Sequence, residues 1–81
     1  MTLDMLDIGE SCKVISIEKS ANLYQRFLDI GVIKNTKIEC VLKSAGNDPK
    51  AYLIRGAVIA IRNEDARTIL ICKEGETPDE N

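Results

Sequence analysis

The most regular hydrophobic pattern in this 81-residue chain lies in its first half, where apolar residues recur at helical spacing. Leu23, Phe27 and Ile30 fall at positions i, i+4 and i+7, so they share one face of a helix. Ser20 is a candidate N-cap before the run, and Gly31 suits the left-handed position that follows a helix end. The pattern predicts a helix of about ten residues, which is too short to be stable alone and must pack on other elements.

Short runs of alternating or β-branched residues, which are typical of strands, occupy much of the remaining chain. They predict five strands, at residues 12–18, 36–42, 51–55, 58–62 and 68–72. Gly56-Ala57 is expected to join the third and fourth strands as a type II′ hairpin turn. Five short strands with one inserted short helix predict a mainly β fold. We expect a small barrel whose sheet closes on itself and so removes exposed strand edges.

The connections between these elements have their own signals. Residues 3–9 place apolar residues at three-residue spacing before a glycine, which predicts a short turn that covers the barrel as a lid. Lys34-Asn35 is a turn in which asparagine tolerates positive φ. Residues 43–49 are rich in turn formers and are expected to project as a flexible loop. Residues 63–66 resemble one capped helical turn.

Charge and length indicate one domain, at residues 1–73, followed by a tail at residues 74–81 that is acidic and expected to be disordered. Four of the 13 acidic residues lie in that tail, which leaves 11 basic and 9 acidic residues before it. The basic residues are scattered and aromatic residues are few, and this composition does not favour nucleic-acid binding. Without a long apolar segment or a signal-peptide pattern, the sequence indicates a soluble cytoplasmic protein.

The chain offers little for catalysis or for a built-in metal site. It has no histidine, and its three cysteines, Cys12, Cys40 and Cys72, show no C-x-x-C spacing. That arrangement predicts neither a zinc site nor a disulfide framework, and buried thiols in strands are the expected alternative. No nucleophile motif or phosphate-binding glycine loop is present. The sequence therefore predicts a protein that is not an enzyme and has no cofactor.

Surface residues near the helix and the hairpin are the candidate binding groups. Tyr24 and Leu28 flank the apolar stripe and would suit a protein contact if they stay uncovered. The alternative is that both complete the core beneath the lid. Arg55 and Arg62 could form a small basic patch, or they are solvated strand ends. Asp48 could pair with another carboxylate, although an Asn-Asp-Pro sequence is more typical of a turn.

The order and spacing of several short motifs resemble the FeoA family over nearly the whole ordered chain, from Leu3 to about Ile71. These motifs are Gly9, Val14 and Ile17, then Leu28-Asp29-Ile30-Gly31, Asp48-Pro49, Arg55-Gly56, and Ala60-Ile61-Arg62 with Glu64 and Ala66. The chain departs from the family pattern at Cys12, where a small residue is common. Lys34-Asn35 replaces a Pro-Gly turn, and Asn47 replaces a glycine.

The resemblance implies an SH3-like β-barrel with an inserted helix. It also implies a cytoplasmic, non-enzymatic accessory protein of bacterial ferrous-iron uptake, which works with the cytoplasmic part of the membrane GTPase-permease FeoB. The family's leucine-aspartate-x-glycine element corresponds to Leu28, Asp29 and Gly31, the region suspected of contacting that partner. Together, the residues expected to take part in partner binding are Tyr24, Leu28, Asp29, Gly31, Asp48, Pro49 and Arg55.

Two other functions remain open from the sequence. One is a small regulatory or nucleic-acid-binding barrel related to the carboxy-terminal SH3-like module of iron-dependent repressors, although the chain lacks a DNA-binding helix pair. The other is a metal-sensing role. The sequence leaves the oligomeric state open as well.

Overall fold

The computed structural model describes residues 1–75 and shows a five-stranded antiparallel sheet in the order β4-β3-β2-β1-β5. The strands are β1 Ser11–Ile17, β2 Lys37–Lys43, β3 Lys50–Ile54, β4 Ala57–Ile61 and β5 Ile69–Lys73. The α-helices are α1 Tyr24–Asp29 and α2 Asn63–Ala66, and 3₁₀ turns lie at Leu3–Met5 and Ala45–Asn47. The predicted fold class is confirmed, and no pairing between β4 and β5 closes the sheet within residues 1–75. None of the helices described is long and apolar enough to cross a membrane.

Two irregularities in strand pairing bend the sheet around its core. The register shifts between Val14 and Ser16 where β1 meets β5, and between Cys40 and Leu42 where β2 meets β3. Such bulges increase the local twist of a sheet, which lets five strands wrap around one core. The buried core residues are Leu3, Leu6, Cys12, Val14, Phe27, Val32, Ile38, Cys40, Tyr52, Ile54, Ile61, Ala66, Ile69 and Ile71.

The amino-terminal segment covers one end of this core, as the sequence predicts. Leu3, the first residue of the 3₁₀ turn, and Leu6, which directly follows the turn, are fully buried. The segment also lies along the outer edge of β5, where Thr2 forms a bridge with Leu70 and the Ile71 N–H donates to the Met1 carbonyl. The lid therefore fills the core and covers one edge of the sheet.

Helix α1 is shorter at its start than the sequence predicts. It spans six residues, and its N-cap position is Leu23, which makes no side-chain cap. The prediction of Ser20 as the cap is wrong, because residues 18–24 form two successive turns, closed by Ala21 N–H to the Glu18 carbonyl and Tyr24 N–H to the Ala21 carbonyl. Phe27 on the predicted stripe is fully packed in the core, so the docking of the helix is confirmed.

The end of α1 follows the predicted glycine pattern. Gly31 has φ +94°, and its N–H donates to the Leu28 carbonyl at 3.0 Å. The Val32 N–H donates to the Phe27 carbonyl at 2.9 Å. These two bonds define a Schellman motif, in which a residue in left-handed conformation ends the helix and the next residue packs back on its last turn. Val32 and Phe27 are both in the core, so the turn directs the chain into β2.

The hairpin between β3 and β4 differs from the predicted one by one residue. Ile54 pairs with Ala57, and the turn is Arg55-Gly56, with φ values of +50° and +83°. Positive φ at both central residues is the pattern of a type I′ turn, so the type II′ assignment across Gly56-Ala57 is wrong. A one-residue change of register exchanges the two faces of a strand, and the observed register puts Tyr52 and Ile54 in the core.

The loop between β2 and β3 is held against α2 and does not project freely. The Asn63 N–H donates to Asp48 Oδ1 and the Asn63 Nδ2 amide donates to the Asn47 carbonyl, both at 3.0 Å. A carboxylate that accepts from a backbone N–H at a helix start acts as a cap. The predicted helical turn at residues 63–66 is confirmed, and its cap comes from this loop.

Only the first residues of the predicted acidic tail belong to the described part of the chain. Glu74 and Gly75 form a turn in which the Glu74 N–H donates to the Ser11 carbonyl at 2.9 Å. Residues 76–81 lie outside the described residues, so the disorder expected for them stays a prediction.

Candidate functional site

A groove between α1 and β1 contains the two surface residues that the helix pattern singles out. Tyr24 and Leu28 are both half-buried and line this groove with Ile15, Ile17 and Ile33. Ile33 is 48% exposed although it is large and apolar. We call this surface the α1–β1 groove. Its volume of about 230 Å³ is enough to receive one or two side chains of another protein.

The charge around the α1–β1 groove is positive. Lys19 and Lys34 line it, and no acidic residue of the described part of the chain does. Neither lysine forms an ion pair within residues 1–75. An apolar groove with unpaired cations at its rim is complementary to an apolar side chain flanked by carboxylates. Ile33, Lys19 and Lys34 are absent from the predicted site. The sequence signal for Ile33 is that a large apolar residue stands in a turn, directly after the buried Val32.

The other residues of the Leu28-to-Gly31 element have mainly structural contacts. The exposed Asp29 accepts a hydrogen bond from Gln25 Nε2 at 3.0 Å. The Gly31 carbonyl accepts from Thr36 Oγ1 at 3.0 Å and from Arg55 Nε at 3.1 Å. The structure therefore brings Gly31 and Arg55 together at the end of α1, outside the lining of the α1–β1 groove.

Asp48 and Pro49 do not join this site. Asp48 caps α2, as described above, and the Pro49 carbonyl accepts from the Ser44 N–H at 3.1 Å. Neither residue lines the α1–β1 groove. Their contacts stabilise the loop before β3, and a role in partner binding stays a prediction.

Arg55 and Arg62 do not form one basic patch. Arg55 lies in the turn before β4, and Arg62 follows its last residue. The five residues of β4 separate them by roughly 17 Å at the usual rise of a strand. The two arginines therefore stand at opposite ends of the same strand.

Lys50 is a buried residue that the sequence reading misses. It is only 6% exposed, and its Nζ donates to the backbone carbonyls of Asp4 and of Leu6, the latter at 3.0 Å. These carbonyls end the amino-terminal 3₁₀ turn, where a cation is favourable. Side chains alternate along β3, and Lys50 lies on the same inward face as Tyr52 and Ile54. The alternation in the sequence therefore contains the signal for a buried Lys50.

The three cysteines are buried in β1, β2 and β5, which confirms the expectation of buried thiols. Burial raises the pKa of the Cys12 thiol to about 12 and also raises the pKa of Cys40. A thiol whose pKa is raised holds very little of the nucleophilic thiolate at neutral pH. This environment does not favour nucleophilic chemistry at either residue.

We expect Cys12 and Cys40 to react with an exposed-thiol reagent only when the protein unfolds. At pH 8, labelling by Ellman's reagent should be at least about 100-fold slower for these thiols in the folded protein than in urea, since both access and thiolate fraction are low. Mass spectrometry of digested, labelled protein resolves each site. Equal rates in the folded and unfolded protein would contradict the described burial.

No group of three or more residues that could hold a metal ion occurs within residues 1–75.

The class of protein follows from comparison with solved structures. The chain aligns with Stenotrophomonas maltophilia FeoA, a prokaryotic SH3 domain protein crystallised with zinc, at a TM-score of 0.80 and 22% identity over 89% of each chain. At this identity the likeness shows the fold alone. The five strands, the inserted helix and this likeness define a small SH3-like domain.

The family is shown by the sequence itself. The profile of the FeoA domain matches residues 1–73, so this chain belongs to the FeoA family. It is also similar to an FeoA-like protein from Clostridium acetobutylicum, with 27% identity and a TM-score of 0.85, over 95% of this chain and 90% of that one. A search of curated proteins gave no significant match.

A weaker likeness extends to a protein of another class. The chain aligns with a manganese-dependent transcriptional repressor at a TM-score of 0.78 and 15% identity, covering 90% of this chain and 41% of that one. The fold is therefore shared with part of a metal-dependent repressor.

Proposed function

We propose that this protein is a non-enzymatic accessory protein of bacterial ferrous-iron uptake that binds the cytoplasmic part of a FeoB-type GTPase-permease. The observation that carries the proposal is the FeoA-domain match over residues 1–73, which extends from the lid to the end of β5. The Stenotrophomonas maltophilia relative is described as a candidate activating factor of ferrous-iron transport. A small domain with an apolar groove on its surface and buried cysteine thiols is compatible with a binding role in iron uptake.

The α1–β1 groove is the surface that we propose for this contact. Tyr24 and Leu28 stand on α1, Ile15 and Ile17 on β1, and Ile33 in the turn that follows α1. Side chains that are already held on packed elements lose less conformational entropy when a partner covers them. Leu28 and Ile33 supply aliphatic surface, and Lys19 and Lys34 supply charge that would orient an acidic partner segment.

Iron uptake by cells tests the proposal. Deletion of the gene should lower Fe²⁺ uptake under anaerobic conditions, and the wild-type gene should restore it. We expect Leu28→Gln and Ile33→Gln to fail to restore uptake, because a polar amide in the groove removes the apolar contact. Leu42→Gln is the matched control, since Leu42 is 61% exposed on β2 and lies outside the groove.

The level and folding of each variant are checked by immunoblot and circular dichroism. Normal uptake in the deletion strain would contradict the accessory role. Full restoration by both groove variants would contradict the assignment of the surface.

The likeness to the manganese-dependent repressor supports a second candidate, a regulatory barrel that binds a protein or a nucleic acid outside transport. At 15% identity it rests on the fold alone. Binding to DNA or RNA that weakens steeply with salt would favour this second candidate.

A further inference from the structure

Strand β4 leaves its outer edge open. Within residues 1–75 it pairs only with β3, and it stands at the end of the sheet. The two-residue turn makes Ile54 and Ala57 a hydrogen-bonded pair. Along an antiparallel ladder, hydrogen-bonded pairs alternate with pairs whose N–H and C=O groups point away from the partner strand. Val58 and Ala60 therefore direct their N–H and C=O groups away from β3. No backbone hydrogen bond within residues 1–75 reaches these groups.

This edge lacks the devices that normally protect an open strand. Edge strands are usually blocked by charged residues, proline, a bulge or a covering segment. β4 contains none of these residues, and its pairing with β3 is regular throughout. Val58 is 59% exposed. At the other end of the sheet, the edge of β5 is covered by Met1 and Thr2, so the same chain covers one edge and leaves the other available.

A second groove runs beside the open edge. It separates β4 from α1, has a volume of about 390 Å³, and we call it the α1–β4 groove. Its apolar part is formed by Leu23, Phe27, Ile30 and Ile59. A strand added to β4 would place every second side chain over this apolar surface, because side chains alternate between the faces of a sheet. The groove uses another face of α1 than the α1–β1 groove does.

The charges around the edge indicate which strand would fit. Arg55 and Arg62 stand at the two ends of β4, and Arg26 and Arg62 line the α1–β4 groove with one acid, Asp65. Arg26 and Arg62 form no ion pair within residues 1–75. A second copy paired antiparallel through β4 would place Arg55 of one copy near Arg62 of the other, which is unfavourable. An aliphatic strand with carboxylates at both ends is complementary.

We infer that the edge of β4 and the α1–β4 groove bind an extended segment of a partner protein as a sixth strand. That segment has roughly five residues with aliphatic side chains at alternate positions, and acidic residues flank it. Main-chain hydrogen bonds to Val58 and Ala60 hold the segment, and the groove and arginines select its side chains. The inference rests on the proposed function and adds a second contact to the one at the α1–β1 groove, because the same permease part would also be held at the β4 edge.

Amide hydrogen exchange measured by NMR tests this inference on the unmodified protein. The full chain is compared alone and with saturating cytoplasmic part of the host's FeoB-type permease, after calorimetry has established binding. We expect exchange at Val58 and Ala60 to slow at least tenfold in the complex, because their N–H groups become hydrogen-bonded. Binding with unchanged exchange at both residues overturns this inference alone. Absence of binding overturns the proposed function, and this inference with it.

A pair of variants gives a second readout. Val58→Pro removes the outward N–H without removing a bond of the β3–β4 ladder, and proline is tolerated at such edge positions. Val58→Thr keeps the N–H and the β-branched shape. We expect the proline variant to bind the permease part at least tenfold more weakly and the threonine variant to stay within threefold of wild type. Equal binding by both variants overturns the inference. If the proline variant does not fold, the exchange experiment decides.

The same exchange experiment also tests for other molecules that could bind at the β4 edge. Protection of Val58 and Ala60 that grows with protein concentration in the absence of a partner would assign the edge to a second copy. Protection of both amides by a 12-nucleotide single-stranded DNA would assign it to nucleic acid. Either result overturns the inference of an acidic, aliphatic partner strand.

Discussion

Gly31→Val is expected to lower the free energy of unfolding by about 1.5–3.5 kcal/mol. The left-handed conformation at φ +94° costs a non-glycine residue about 1–2 kcal/mol. A Cβ atom at this position would also stand 2.8 Å from Cδ and Nε of Arg55, so the arginine must move and lose its bond to the Gly31 carbonyl. Arg55 is an exposed, flexible side chain that can move, so the further loss is that of one hydrogen bond, about 0.5–1.5 kcal/mol. Urea denaturation of both proteins measures the difference.

Gly9→Val is the matched control for this prediction. Gly9 has nearly the same φ, +88°, and a Cβ there meets nothing within 4 Å. Its cost should be that of the left-handed conformation alone. In an Arg55→Ala background the cost of Gly31→Val should fall to that of the left-handed conformation, because no arginine bond is left to lose. Equal stability of Gly31→Val and wild type would show that the described end of α1 is wrong.

Lys50→Met is expected to destabilise the protein by about 2–4 kcal/mol. The substitution keeps an apolar chain of similar length but leaves the carbonyls of Asp4 and Leu6 without their donor. The buried Leu6 carbonyl that loses its donor costs about 1–3 kcal/mol, and the part-buried Asp4 carbonyl adds about 1 kcal/mol. In a domain of this size the melting temperature should fall by roughly 10 °C or more. Differential scanning calorimetry measures the change.

Lys43→Met is the control for the lysine substitution. Lys43 pairs with Asp7 at 3.0 Å, and that hydrogen bond lowers the pKa of the exposed Asp7 carboxyl. Exposed pairs of this kind contribute little to stability, because solvent screens the two charges. A loss at Lys50 no greater than at Lys43 would contradict the role of Lys50 in holding the lid.

The sequence predicts the elements of this fold well where local chemistry decides them. Gly31 can be assigned from its position after an apolar stripe, because a helix end in left-handed conformation favours glycine. Asn35 at a turn with φ +73° is a similar case. The hairpin register could not be decided in this way. Gly56 is compatible with either turn type, and Arg55 takes positive φ because the core faces of β3 and β4 require it.

Contacts between distant segments explain the other differences between prediction and structure. The loop before β3 reads as free turn residues, yet Asp48 caps α2 fifteen positions later. Lys50 reads as a surface cation, but the lid supplies carbonyls that accept from it. Of the predicted contact residues, Tyr24 and Leu28 share one groove because they lie one helical turn apart. Arg55 and Arg62 do not form a patch, because the full length of β4 lies between them.

A calorimetric titration of this protein into the purified cytoplasmic part of the host's FeoB-type permease tests the central claim most directly. The account predicts saturable binding by wild-type protein and by Leu42→Gln. It predicts at least tenfold weaker binding by Ile33→Gln, whose side chain is exposed in the α1–β1 groove and contributes little to the core. No binding by wild-type protein at about 100 μM, or equal affinity of the two variants, would contradict it.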